Sequence, residues 1–220
     1  MISQNIIQFL ELLKVNNNRE WFHSNKILYD NAKGDFEIYT NYLINEIKNF
    51  DKSISYLEPK DCIFRIFRDI RFSKDKTPYK PNFGAYIVKG GKKSGYAGYY
   101  LHIEPNNSFL AGGVYMPQPI VLKAVRSSIY ENIDEFLKII NTKSFKTYFG
   151  EIEGEKLKST PPGFSKDFSY LELLKFKSYT LLHSLDIKTM QIDSFDNHVI
   201  KIFKEMYDFN IFINNCIEDI

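Results

Sequence analysis

The chain has 220 residues, 44% of them hydrophobic and 25% charged. That is ordinary for a globular protein and enough to bury a substantial core. Its formal net charge of +2 argues against a general polyanion binder. No run approaches the roughly 18 apolar residues of a membrane span, and the two cysteines, Cys62 and Cys216, fit neither a metal spacing nor a disulfide framework.

The opening "MISQNIIQFLELLK" has no basic n-region, and polar residues interrupt its apolar face, so it reads as an amphipathic helix and not a signal peptide. Ser3 is positioned to cap it, and Ile6, Ile7, Leu10 and Leu13 form its buried face. "NNN" at 16–18 reads as a turn, with Asn18 capping a helix at Arg19. Tyr29, Ala32, Phe36, Tyr39, Leu43, Ile47 and Phe50 then recur every three or four residues as a helix stripe. The period changes in the middle of the chain. Ile63–Phe72 mixes bulky apolar and charged residues, and its Ile and Phe content favours a strand. "NFGAYIV" at 82–88, "YAGYYLHIE" at 96–104 and "FLAGGVYM" at 109–116 read as strands joined by the turns "KGGKKSG" and "PNNS". In the second of these, Ala97, Tyr99, Leu101 and Ile103 share one face. Tyr100, His102 and Glu104 share the other.

After Pro117 and Pro119 one helix is expected, burying Leu122, Val125, Ile129, Ile133, Phe136 and Ile140. Residues 150–168 read as loop, 170–176 as a short helix and 178–185 as a further strand. Asp193 is expected to cap a long C-terminal helix, with Asp196 in a box-like position. Its face would be Val199, Ile202, Phe203, Met206, Phe209, Ile213 and Ile217. The predicted fold class is α+β: a mainly antiparallel sheet, with its meander around residues 63–116, packed by N- and C-terminal helices in a single domain of residues 1–220. The protein is expected to be soluble and cytoplasmic, with no metal and no cofactor.

Charge is concentrated. Residues 60–93 hold ten Lys or Arg against three Asp, a local +7 that leaves −5 for the rest of the chain. Within "RIFRDIRFSKDKTPYK" at 65–80 stand Arg65, Arg68, Arg71, Lys74, Lys76 and Lys80, with only Asp69 and Asp75 to answer them. Guanidinium forks suit phosphate or carboxylate bidentately, the lysines add point charges, and Tyr79 adds a hydroxyl donor. The favoured partner is therefore a compact anion, a small phosphorylated or carboxylated ligand. One alternative is an internal ion-pair network serving the fold. Another is contact with nucleic acid through cations and aromatic rings. His102 and Glu104 are candidates for an acid–base pair, with Asp69 as a second carboxylate. "GGKKSG" is no phosphate loop, because no helix follows it. "AGG" at 111–113 suggests a bulge or a flat patch. No pattern names a reaction.

The chain resembles the domain-of-unknown-function family 2461, bacterial proteins of about this length. The resemblance rests on Arg65, Arg68, Asp69, Arg71, Phe72, Asp75, Lys76 and Tyr79, which stand in the family's R-x-x-R-D-x-R-F hallmark and the acidic–lysine pair and tyrosine after it. "NNREWF" at 17, "GYYLHIEPNNSFLAGGVYMP" at 98, "GEKLKSTPPGFSKD" at 154 and "LLKFKSY" at 173 extend it nearly end to end. It implies a single domain and brings no activity, substrate or cofactor.

Overall fold

A computed structural model describes residues 1–186 and 192–218. Helix α1 spans Gln4–Val15. Ser3 caps it by accepting from Asn5 N–H, and Ile6, Ile7, Phe9, Leu10 and Leu13 are buried. Helix α2, Arg19–Ser24, starts where the Asn18 side chain accepts from Trp21 N–H. Helix α3, Lys26–Ile47, buries Ala32, Phe36, Tyr39, Leu43 and Ile47. These are the positions the 3.6-residue period selects. A 3₁₀ turn at Lys52–Ile54 and helix α4, Pro59–Cys62, lead into the cationic segment.

Four strands follow: β1 (Phe83–Ile87), β2 (Gly98–Ile103), β3 (Ser108–Val114) and, much later, β4 (Tyr179–Leu185). They form one antiparallel sheet in the order β1-β2-β3-β4. Tyr86 lies opposite Tyr100, Gly84 opposite His102, Phe109 opposite His102 and Leu182 opposite Ala111. Alternation then sorts the side chains. Phe83, Ala85, Ile87, Tyr99, Leu101, Ile103, Leu110 and Leu181 enter the core. Each such burial contributes roughly 1.5–3 kcal/mol for a large side chain. Tyr86, Tyr100, His102, Phe109, Ala111 and Leu182 share the opposite face and stay partly exposed.

Two long helices expected from periodicity are each divided. The segment after Pro117 forms helix α5, Pro119–Glu131, and helix α6, Ile133–Ile140. Asn132 ends the first with φ −120° and ψ 40°, and its carboxamide donates to Ser128 C=O over 3.2 Å. Helix α7, Lys143–Phe149, capped by Thr142, was not expected. Helix α8 is Leu171–Leu174. The C-terminal helix is α9, Phe195–Glu205, followed by α10, Tyr207–Glu218. Ser194, and not Asp193, is its N-cap residue, and no side-chain cap bond forms. The apolar face is as expected: Val199, Ile202, Phe203, Met206, Phe209 and Ile213 are buried.

Helix α10 is joined to the sheet by polar contacts. Asn210, 1% exposed, accepts from Gly113 N–H over 2.7 Å and donates to Gly98 C=O over 3.1 Å. Asn214, one turn on, accepts from Ala97 N–H and donates to Ala97 C=O. These bonds satisfy backbone groups where the β2–β3 ladder ends. Both cysteines are buried, and neither forms a disulfide among the described residues. No helix among the described residues is long and apolar enough to cross a membrane.

Candidate functional site

The cationic segment is not a strand. It pairs with its surroundings only at isolated bridges, Ile63 with Ala85 and Phe67 with Tyr79. Phe64 N–H donates to Gly84 C=O, Arg68 N–H to Pro78 C=O and Lys80 N–H to Ile66 C=O. The result is a long loop closed at its neck and open at its tip. Burial still alternates at the neck, with Ile66 buried between exposed Arg65 and Phe67. The apolar residues that suggested a strand anchor this neck to the sheet edge.

The N-terminal helices hold the neck in place. Asn17 accepts from Tyr79 N–H over 3.1 Å and donates to Tyr79 C=O over 3.0 Å. The Tyr79 ring stacks on Phe22 with centroids 4.0 Å apart and planes 13° apart. Tyr79 is 3% exposed, and its ring is committed to packing against Phe22.

Two of the loop's cations are answered from within. Arg68 is bonded to Asp75 and Thr77, and Arg71 forks onto Asp69 over 2.9 and 2.6 Å. The Arg68 guanidinium, with help from Thr77, holds the Asp75 carboxyl down at about 2. Arg71 likewise lowers Asp69, so Asp69 is an ionised half of an ion pair and does not line the groove described below. Lys76 Nζ donates to Ile70 C=O over 3.0 Å. Arg65, Lys74 and Lys80 have no carboxylate within ion-pair distance among the described residues. Arg65 and Lys74 are exposed, whereas Lys80 is half-buried.

Lys80 matters because of what lies beside it. The open face of the sheet forms the floor of a groove of about 700 Å³, within the range of small-ligand sites. Its lining comes from strands and loops: Phe64 and Lys80 from the loop neck, Tyr96 from the β1–β2 turn, Tyr100 and Phe109 from the sheet, and Leu182 from β4. The Lys80 ammonium lies over the Phe64 ring, 5.7 Å from its centroid. Burial, reinforced by the nearby Arg65 charge, lowers the Lys80 pKa. A cation in such surroundings gains most from an anion brought to it.

His102 and Glu104 are joined, and the chain is longer than the pair. His102 Nε2 lies 3.2 Å from Glu104 Oε2, and His102 Nδ1 lies 3.0 Å from the Tyr100 hydroxyl. Neutral imidazole satisfies both partners in one way: Nε2–H donates to the carboxylate, and Nδ1 accepts from the phenol. Asn82 Nδ2 also approaches Nδ1, at 3.4 Å. Phe109 stacks on the ring at 4.5 Å and 12°. Burial lowers the His102 pKa, outweighing Glu104, which raises it, and Lys80 adds to the lowering. Tyr100 is pushed up to about 12 by burial and by the Glu104 charge.

Gly84 makes the Tyr100 contact possible. A Cβ on Gly84 would lie 2.6 Å from the Tyr100 hydroxyl oxygen, so any other residue there would displace the phenol from the imidazole. Tyr86 makes a useful contrast. Its hydroxyl faces the backbone carbonyls of Tyr96 and Gly113 at 2.7 and 2.8 Å and is taken up by structure.

Sequence reasoning put Tyr100, His102 and Glu104 on one face but gave no role to Tyr100. Tyrosine at an alternating strand position reads as packing. The missed signal was the glycine two residues before Tyr86, which becomes visible only in the β1–β2 register. A search of curated proteins and a search of solved structures found no match to the chain. The model of the family described as conserved hypothetical protein (DUF2461) matches residues 5–212, and the chain belongs to that family.

Proposed function

We propose that this protein binds a small anionic ligand, phosphorylated or carboxylated, in the groove on the open sheet face. Lys80 is its principal anchor, and Arg65 adds charge at the loop neck. One observation carries the reading: Lys80 is a half-buried cation with a lowered pKa and no carboxylate partner among the described residues, and it lines a groove large enough for a ligand. The aromatic walls accept the ligand's apolar body, and the ammonium accepts its charge. Arg68 and Arg71 are not assigned to the ligand. Their pairing with Asp75 and Asp69 supports the internal-network reading for the loop tip.

A thermal-shift series tests the proposal. Inorganic phosphate, small phosphomonoesters and dicarboxylates are compared on the wild type, Lys80→Gln and Arg68→Gln. A ligand that binds only the folded form stabilises it by about 2.7 kcal/mol at a hundredfold excess over Kd, which is about 5–10 °C for a chain of this size. The expected result is a rise in the wild type and in Arg68→Gln that is lost in Lys80→Gln. A rise that survives Lys80→Gln, or no rise with any anion, contradicts the proposal.

A second reading concerns the loop tip alone. Phe72 is 94% exposed, lies 5.8 Å from the Arg71 guanidinium and is near exposed Lys74. Such a tip suits a single nucleic-acid strand, with stacking on the ring and cations on phosphates. Binding of a single-stranded oligonucleotide is then expected at low salt and to fall steeply as salt rises. No binding at low salt removes this reading.

A further inference from the structure

We infer that Tyr100, His102 and Glu104 form a group-transfer centre in which the Tyr100 phenol is the nucleophile toward a small ester that carries an anionic group. The inference deepens the binding proposal, because it uses the same groove and places Lys80 as the anchor for the substrate's charge.

Four observations converge. Phenol, imidazole and carboxylate are linked in series over 3.0 and 3.2 Å, the order in which a nucleophile, a base and an orienting group must stand. The imidazole plane is fixed by the Phe109 ring stacked on it. The vacancy at Gly84 admits the hydroxyl. Finally, Tyr100 lines the groove, so the series ends at a surface that a ligand can reach. The high pKa of the phenol is consistent with this role. Burial keeps it protonated, so, like an aliphatic hydroxyl, it reacts only when a base removes its proton as the new bond forms.

The Tyr100 oxygen bonds to the acyl carbon, and its proton passes to His102 Nδ1, giving an imidazolium stabilised by Glu104. The ester C–O bond breaks, and the alcohol leaves with the proton from Nδ1. Water, deprotonated by the same imidazole, then attacks the tyrosyl ester and releases the acid and the phenol. The sum is ester plus water giving acid plus alcohol. Tyr100 is the catalytic residue and His102 the base. Glu104 is a positioning residue, acting through the tautomer and orientation of His102.

Two probes test the inference on the full chain. Phenylmethanesulfonyl fluoride is neutral and needs no cation. Its sulfur should bond to the Tyr100 oxygen with loss of fluoride, and peptide mass spectrometry locates the adduct. Tyr100 is expected to react faster than Tyr56, which is 97% exposed. Tyr100→Phe should abolish the adduct. His102→Ala should slow it by about a hundredfold or more, with partial rescue by added imidazole, a readout that simple unfolding would not give. Glu104→Gln should slow it less and shift its pH profile. Equal labelling of Tyr100 and Tyr56, or a rate indifferent to His102→Ala, overturns the inference.

The second probe is mono-4-nitrophenyl glutarate, an activated ester with a free carboxylate. Wild type is expected to release nitrophenolate, and Lys80→Gln to raise KM for this anionic ester by a far larger factor than it changes the rate of labelling by the neutral fluoride. If labelling requires His102 but hydrolysis is indifferent to Lys80, the binding proposal fails and the nucleophile stands. If the groove binds anions but Tyr100 is inert to both probes, the present inference fails and the binding proposal stands.

Discussion

Gly113→Ala is expected to be among the most damaging single substitutions in the chain, lowering the melting temperature by about 10 °C. Gly113 has φ +92°, and a Cβ there would lie 2.0 Å from the Tyr179 carbonyl oxygen and 3.1 Å from Phe209 Cε1. A left-handed backbone costs an L-residue about 1–2 kcal/mol, and overpacking a tight site adds about 1–3 kcal/mol. The clash is with backbone of the neighbouring strand, so no rotamer relieves it. Relief requires β3 to separate from β4, and that moves the groove floor. Thermal denaturation of the purified variant checks the expectation. A fall of under 2 °C would mean that the β3–β4 contact yields far more easily than the geometry implies.

Asn210→Leu is expected to cost about 2–5 kcal/mol although leucine keeps asparagine's branching at Cγ. The substitution removes the acceptor for Gly113 N–H and the donor to Gly98 C=O, both supplied by one buried carboxamide. Each buried backbone group left unpaired costs about 1–3 kcal/mol. The chain nearby cannot compensate, because Asn214 is already committed to Ala97. Chemical denaturation should show a lower midpoint with an unchanged slope, the signature of lost stability without a changed unfolding surface. Local protection from hydrogen exchange should drop first at Gly113. An unchanged midpoint would mean that the two backbone groups find other partners.

Both sites lie at the same end of the sheet, and both show why some of the fold was legible in the sequence and some was not. Ser3, Asn18 and the apolar stripes were legible because caps and 3.6-residue spacing act within a few residues. The face shared by Tyr100, His102 and Glu104 was legible because strand alternation is also local. The division at Asn132 was not, since the apolar stripe continues across it and neither Gly nor Pro marks the break. The same holds at Met206, which is buried in the stripe although it ends α9.

The cationic loop illustrates a different limit. Its charge excess was legible by counting, but proximity in the chain points to Asp69 bridging two arginines and Asp75 pairing with a lysine, whereas Asp69 pairs with Arg71 and Asp75 with Arg68. Which cation remains available was not legible. That depends on Asn17 and Phe22, some sixty residues upstream, fixing the neck at Tyr79 so that Lys80 meets the sheet face. The groove itself was invisible for the same reason. Phe64, Tyr96, Tyr100 and Leu182 come together only through the sheet order, and β4 arrives after a long helical excursion. The "AGG" at 111–113 read as a bulge or a flat patch. No bulge forms there, because the register runs unbroken through Ala111, Gly112 and Gly113 on both sides, and Ala111 lines the groove as a small residue.

The location of a bound anion tests the central claim most directly. Crystals of the wild type grown with millimolar phosphate should show density for the anion within hydrogen-bond distance of Lys80 Nζ, on the open face of the sheet, with the Arg68–Asp75 and Arg71–Asp69 pairs intact. Phosphate seated instead on Arg68 and Arg71, with their aspartates displaced, or a groove that holds only water while Lys80 turns to a protein carboxylate, would contradict it.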